Sequence, residues 1–355
     1  MAEPHVDVII PVHTASRPIA RAVASVLAGS TSAIRVNVVC HNVAPPDIAA
    51  SLGEWARDTR VRLLHHEDGV PSPAGPLNAG YAAATGAFTT LLDSDDEYEP
   101  GAVDAWLAVQ RRHDADIVIP PLRYANGGSS RTPPTRPGRT RSLDGVRDRL
   151  AYRTRQHGLV RRSMFPHLIM TTGLRTGEDV IQGASLWFSN ASISLARGAP
   201  AYLIHTEGEN ERTSATPKPA AESLLFLDAV LDPEFIASLS PAQREAFAIK
   251  LLRTHVMDIV ALALASEQRD QDLSDLAAGA RRIADLAPSA LSVLSRREYR
   301  IIAEVLGGRD PDVLAQEQAL LYDFTRPANL LPRSWGRLLH REAPVRFLAA
   351  TALMR

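Results

Sequence analysis

Short β-prone apolar runs alternate with helical stretches through the first 120 residues, and that alternation leaves few folds open. Val6-Asp7-Val8-Ile9-Ile10-Pro11-Val12 is β-branched and apolar on both faces, as a buried parallel strand must be. Residues 17–27 then set Ile19, Val23, Val26 and Leu27 on one helical face. The pattern predicts strands at 33–40, 61–64, 88–92 and 116–120, with helices at 46–57, 77–85 and 101–112 between them. A Pro/Gly loop occupies 69–76. Strand–helix alternation of this kind predicts an α/β fold with a mostly parallel, Rossmann-like doubly wound sheet.

The run at 88–92 ends in Asp93-Ser94-Asp95-Asp96-Glu97. Ligands of open α/β sheets bind beyond the carboxyl ends of the strands. Carboxylates this close repel one another unless a cation sits among them, and hard divalent ions favour oxygen ligands. The competing reading is a solvated acidic turn before the helix that starts near Pro100.

From Arg123 to Arg162 the chain carries eleven arginines against two acids, Asp144 and Asp148. Residues 126–138 are rich in Gly, Ser and Pro and read as a loop, and a helix is expected near 143–152. One reading is a solvated basic face; the other is an anion-binding surface, since the planar guanidinium fork suits phosphate. A strand is expected at 168–172. Gly173 and Gly177 then frame a loop that presents Glu178 and Asp179 before a helix at 181–189. A last short strand at 201–205 enters a polar, lid-like stretch at 206–218.

Beyond residue 219 strand signals stop. Ser240-Pro241-Ala242-Gln243 and Ser295-Arg296-Arg297-Glu298 read as helix-opening capping boxes, the first for a helix to about 266. Further helices are expected at 273–286 and from Asp310 to about 324. The boundaries that follow are 1–218 for the α/β domain, with an arginine-rich insert at 123–162, and 219–355 for an all-helical domain. The helical domain has three candidate roles: oligomerisation, acceptor selection and membrane docking. The tail 333–355 mixes Trp335, Phe347 and leucines with five arginines, which suits either packing on the helical domain or contact with an anionic membrane face.

A net charge of −1 predicts no global attraction to nucleic acid. The single Cys40 precludes an internal disulfide and fits a reducing compartment. No run approaches the roughly 20 apolar residues of a membrane span. A cytoplasmic protein is expected, peripheral at the inner membrane face if the tail docks there.

Several pieces, in order, resemble the family 2 glycosyltransferases. They are Val8-Ile9-Ile10-Pro11-Val12-His13, Ser25-Val26-Leu27, Gly75-Pro76-Leu77-Asn78-Ala79-Gly80, Leu91-Leu92-Asp93-Ser94-Asp95-Asp96 and Gly177-Glu178-Asp179. The resemblance covers about the first 215 residues. It implies a GT-A fold and inverting transfer of a sugar from a nucleotide diphosphate sugar, UDP-linked, to a hydroxyl acceptor. Surface polysaccharide, wall-polymer or glycolipid synthesis is the implied setting. Asp179 would be the general base and Glu178 its neighbour. Asp95, Asp93 and His205 would bind Mn²⁺ or Mg²⁺. Pro11, His13, Asn42, Asn78, Asp93, Ser94 and Arg212 would contact the nucleotide sugar, with Arg212 as a diphosphate clamp. Arg153 and Arg155 are the candidates for an anionic or lipid-linked acceptor. The chain departs from the family at Cys40-His41-Asn42-Val43, where many members carry a base-reading aspartate. Two rival readings are a degenerate domain kept for binding and a nucleotidyltransferase. The second lacks support at His13-Thr14-Ala15-Ser16-Arg17, which holds no glycine-rich, lysine-bearing loop.

Overall fold

The computed structural model describes residues 5–130, 132–206, 218–308 and 310–354. The N-terminal elements run β1 (Val6–Val12), α1 (Ile19–Leu27), β2 (Ile34–His41), α2 (Pro45–Leu52), β3 (Val61–His66), α3 (Ala74–Ala83), β4 (Phe88–Leu91), β5 (Glu97–Tyr98), α4 (Ala102–His113) and β6 (Ile117–Ile119). They continue with β7 (Leu122–Tyr124), β8 (Ser129–Ser130), β9 (Leu159–Arg161), α5 (Val180–Trp187), β10 (Ile193–Leu195) and β11 (Tyr202–Ile204).

Seven strands form the main sheet in the order β10-β6-β9-β4-β1-β2-β3, and β5-β11-β7-β8 form a smaller one. The expected parallel core is present: β1 pairs in parallel with both β2 and β4, and β2 with β3. Both faces of β1 are covered. Val8, Ile10 and Val12 join the cluster with Ile19, Val23 and Val26, while Ile9 packs with Val39, Leu77 and Leu91 on the other side. The one polar residue inside β1, Asp7, is fully buried and fully employed. It accepts from Arg35 Nε at 3.0 Å, Asn37 Nδ2 at 2.8 Å, and the Thr85 and Gly86 amides at 2.8 and 2.6 Å. A buried carboxylate is tolerated when its lone pairs are matched in this way.

The sheet departs from the parallel expectation at β9, which is antiparallel to both β4 and β6. This strand comes from the end of the arginine-rich stretch, so that stretch is part scaffold. Gly158 makes the entry possible. Its φ is +120°, and a Cβ there would lie 2.2 Å from the Val118 carbonyl oxygen.

Two expected elements are replaced by irregular chain. Residues 168–172 form no strand, because the Met170 main chain exchanges hydrogen bonds with the Asn78 amide (2.8 and 3.0 Å) instead of with a neighbouring strand. Residues 143–152 form turns ending in a 3₁₀ segment at Leu150–Tyr152, not an α-helix. Arg149 there adopts a φ of +51°, which an α-helix cannot accommodate.

The chain divides into two compact units: 1–132, 138–143 and 153–215 in the first, and 133–137, 144–152 and 216–355 in the second. Two short pieces of the arginine-rich stretch therefore group with the C-terminal helices. A buried carboxylate fastens them to each other, since Asp148 receives Arg136 Nε at 2.8 Å and Nη2 at 2.6 Å.

The second unit adds α6 (Ala220–Ser223), α7 (Phe226–Val230), α8 (Pro233–Ser238), α9 (Pro241–Leu251), α10 (Met257–Leu264), α11 (Arg269–Leu286), α12 (Arg296–Gly307), α13 (Pro311–Ala319), α14 (Pro327–Leu330) and α15 (Pro344–Ala352). Both predicted capping boxes form, at Ser240/Gln243 and Ser295/Glu298. The single helix expected at 240–266 is α9 and α10 joined by a π-helical turn at Leu252–Val256. In the tail, the Phe347 ring packs on Tyr152 at 4.8 Å and under the Arg149 and Arg253 guanidiniums. Trp335 and Leu339 remain exposed. No helix among the described residues is long and apolar enough to cross a membrane.

Candidate active site

The carboxyl ends of β4, β1, β2 and β3 lie side by side, so the residues just beyond them form a row. That row brings together Asp93 and Asp95 after β4, Pro11 and His13 at the end of β1, His41 and Asn42 at the end of β2, and His66 and Asp68 at the end of β3. Parallel strands deliver polar side chains here because their apolar bodies are buried and their ends are not.

The acidic turn is tightly built. The Asp96 amide closes it on the Asp93 carbonyl at 3.1 Å, and Ser94 is buried inside it. Tyr202 of β11 braces it from the smaller sheet: its hydroxyl donates to Asp96 Oδ2 at 2.7 Å and accepts from the Asp93 amide at 3.1 Å. The His205 amide also donates to Asp96 Oδ1, at 2.8 Å. Burial, with the Asp93 charge beside it, pushes the Asp96 carboxyl up to about 7. Asp96 is thus a bracing residue turned into the fold. Arginines hold the other two aspartates. Asp95 pairs with Arg17 Nη1 at 2.5 Å, and its carbonyl accepts from Arg21 at 2.6 Å. Asp93 pairs with Arg155 Nη2 at 3.0 Å.

Glu178 and Asp179 immediately precede α5, with Asp179 at its N-cap position. Glu178 is 8% exposed, and burial together with the adjacent Asp179 charge pushes its carboxyl up to about 7. Arg155 acts on both acidic motifs. Although burial opposes its charge, Asp93, Glu178 and Asp179 together hold the guanidinium protonated above its ordinary value. His157, two residues on, is kept neutral by burial and by Arg153 and Arg155, with its ring edge-on to Tyr202 at 4.4 Å.

Three of the expected site residues have these partners. Arg153 is 3% exposed and donates to the Pro120 and Thr132 carbonyls, at 3.2 and 3.3 Å. Arg155 pairs with Asp93. His205 Nε2 meets Glu97 at 2.6 Å. Asn78 is committed to the Met170 main chain, and Arg212 lies outside the described residues.

The departure at 40–43 is also clarified. Asn42 has a φ of +54°, which turns its amide oxygen to the Asp68 and Gly69 amides, both at 3.0 Å. Asp68 in turn meets His41 Nε2 at 2.8 Å and His66 Nε2 at 3.1 Å. A carboxylate from the end of β3 thus stands against the residues that end β2. Gly75 makes room for it, since a Cβ there would stand 2.3 Å from the Asp68 carboxylate. Hydrogen bonds from His41, the Val70 amide and His66 outweigh desolvation and hold Asp68 well below the usual carboxylate range.

Among the described residues no group of three or more His, Cys, Asp or Glu side chains could hold a metal ion by itself. The donor chemistry suits a hard divalent cation through Asp93 and Asp95 alone, with the remaining positions left to phosphate oxygens or water.

The model of glycosyl transferase family 2 matches residues 7–169. That match covers just under half of the chain. An uncharacterized glycosyltransferase of Nostoc sp. (strain PCC 7120) is 31% identical over 124 residues, 34% of this chain and 38% of the relative. The succinoglycan biosynthesis protein ExoO of Rhizobium meliloti (strain 1021) is 35% identical over 99 residues, 27% of each chain. The chain thus spans well under half the length of these curated relatives. Staphylococcus aureus TarS 1–349, solved in complex with UDP-GlcNAc, superposes with a TM-score of 0.69 at 17% identity, covering 90% of this chain and 92% of that one. Full-length TarS gives 0.63, covering 89% and 55%. The likeness extends past residues 7–169 into the helices and gives the fold: a GT-A-like mixed sheet with a helical C-terminal region.

Proposed function

We propose that the chain is a glycosyltransferase that moves a sugar from a UDP-linked donor to a hydroxyl acceptor, with inversion at the anomeric carbon. The observation that carries this reading is Arg155. It pairs with Asp93 of the D-x-D turn at 3.0 Å and interacts electrostatically with Glu178 and Asp179, so in this reading one cation serves both acidic motifs. The family of residues 7–169 and the UDP-sugar in the TarS structure support the donor class. The ExoO relative supports a polysaccharide setting. The acceptor class is a lipid-linked glycan or a phosphate-containing polymer.

In this reading the row of strand ends binds the nucleotide, with Asp68, His41 and Asn42 at the base and Asp93 and Asp95 at the diphosphate. Asp179 takes the proton from the acceptor hydroxyl as the bond to the leaving phosphate breaks. Glu178, whose carboxyl burial and the adjacent Asp179 charge push up to about 7, stands beside that base. Tyr202 and His157 fix the acidic turn so that its carboxylates need not reorganise during transfer. A bound Mn²⁺ or Mg²⁺ held by Asp93 and Asp95 would offset charge on the departing diphosphate.

The test is nucleotide release from UDP-, GDP- and dTDP-sugars with Mn²⁺ and then with EDTA. Metal-dependent release from a UDP-sugar, lost in Asp95→Ala, is expected. Asp179→Asn should keep donor binding and lose transfer by about 100-fold or more, as removal of a general base does. Turnover that survives EDTA would give the diphosphate role to Arg17 and Arg155 alone. Tight donor binding without turnover, acceptor present, would favour the binding-only reading.

A further inference from the structure

The first unit carries a second concave site, away from the row of strand ends. A cavity of about 370 Å³ is lined by Arg112, His113, Arg139, Arg141, Ser142, Ser192 and Ser194. It lies at the outer edge of the main sheet, where β10 is the terminal strand, and near the amino end of that strand. The acidic row is at the carboxyl ends of β4, β1, β2 and β3, on the far side of β6 and β9, so the two sites are distinct.

Three features make this a built site. The segment bearing Arg139 and Arg141 is pinned along β10: the Leu195 amide donates to the Thr140 carbonyl at 2.8 Å, and the Leu143 amide to the Ile193 carbonyl at 3.0 Å. Secondly, the nearby acids are already taken. Arg161 meets Asp114 at 3.0 Å and Asp116 at 2.7 Å, and the lining itself contains no carboxylate. Thirdly, hydroxyls accompany the cations, with buried Ser194 held by His113 Nδ1 at 3.0 Å. The carboxyl end of α4 steadies Arg112 and His113 through its partial negative charge, so any attraction for an anion comes from the guanidiniums.

We propose that this cavity binds a phosphate-bearing polyol or sugar unit. Guanidinium forks match phosphate oxygens, and the three serines offer hydroxyl partners to the carbon skeleton. A cavity of this size is at the lower end of small-ligand sites and too concave for a flat membrane face. The chemistry is shared by two sources, a free phosphomonoester and one repeat of a phosphodiester-linked polymer. The inference does not depend on the transferase reading, because its test reads binding directly.

Intact protein would be titrated calorimetrically with glycerol 3-phosphate, a short glycerol phosphate oligomer, inorganic phosphate and glucuronate. Saturable binding of the first two is expected, weakened about tenfold or more in Arg139→Gln/Arg141→Gln as charge-assisted bonds are lost. Arg112→Gln, on a separate element, should weaken it likewise, which sets aside a local distortion of residues 139–141. Affinity for UDP should be unchanged in all variants. An oligomer that binds more tightly than the monoester assigns the site to a polymer, and the reverse order assigns it to a free metabolite. No saturable binding, equal binding of glucuronate, or an equal loss in the control Arg62→Ala would overturn the proposal.

Discussion

Glu178 makes the site's chemistry visible in the protein's stability. Its folded carboxyl titrates near 7, above the ordinary value of 4.5, because of burial and then Asp179. A raised carboxylate pKa means the folded state holds a proton the unfolded chain releases. Stability therefore falls as pH rises from about 4.5 to about 7, and the cost is fully present above that. Glu178→Gln should melt several degrees above wild type at pH 8 and at nearly the same temperature at pH 4.5. An equal shift at both pH values would contradict the assignment. Arg155→Ala has the opposite sign. Without the guanidinium, Asp93, Glu178 and Asp179 lose their shared counter-charge, and the deficit against wild type should widen from pH 5 to pH 8. Its nucleotide release should fall as well, with no acceptor-specific KM effect. The carboxylates were legible in the sequence because each follows an apolar strand or opens a helix. The pairings of Arg155, Arg17 and Tyr202 were not, because their partners are 62, 78 and 106 residues away and no local pattern encodes them.

At the scale of elements, local rules predicted well wherever an element satisfies its own needs. The Ser240 and Ser295 boxes were readable from four residues each because capping is a local hydrogen-bond exchange. They should differ in weight. Ser240→Ala should cost about 1 kcal/mol, as at an exposed cap. Ser295 is 2% exposed, and its partner Glu298 also holds Arg253 at 2.7 Å, so Ser295→Ala should cost about 2 kcal/mol, at the upper end of that range. Chemical denaturation of the two variants compares them. β9 was missed for the converse reason: Leu159-Val160 is too short to show a period, and the tertiary slot between β4 and β6 makes it a strand. Gly158→Ala should expose that dependence, since its Cβ has no room beside Val118. A drop of several kcal/mol, or insoluble protein, is expected from the combined clash and strained φ. The expected strand at 168–172 fails through a side chain. Asn78 offers the Met170 main chain both a donor and an acceptor and so takes the place of a strand partner.

Across the whole molecule, the division into units does not follow sequence order. Residues 133–137 and 144–152 group with the helices that begin far downstream of them. The arginine-rich stretch that reads as one basic surface is divided among four duties: Arg136 and Arg149 in the helical unit, Arg153 in the interior, Arg155 at the acidic site, and Arg139 and Arg141 at the sheet edge. Charge composition shows that arginines are abundant; only the fold distributes them.

The central place of β9 also sets an order of events on the ribosome. β1 to β4 can pair as they emerge, because their partners lie upstream. β6 cannot reach the sheet until residues 159–161 have left the exit tunnel, since β9 is the strand that joins it to β4. For some seventy residues of synthesis, therefore, β4 presents an open edge, and open edges invite pairing with other chains. Nascent chains stalled at residue 150 should bind holdase chaperones and be cleaved readily near β4. Chains stalled far enough beyond residue 200 to free β9, β10 and β11 should resist both.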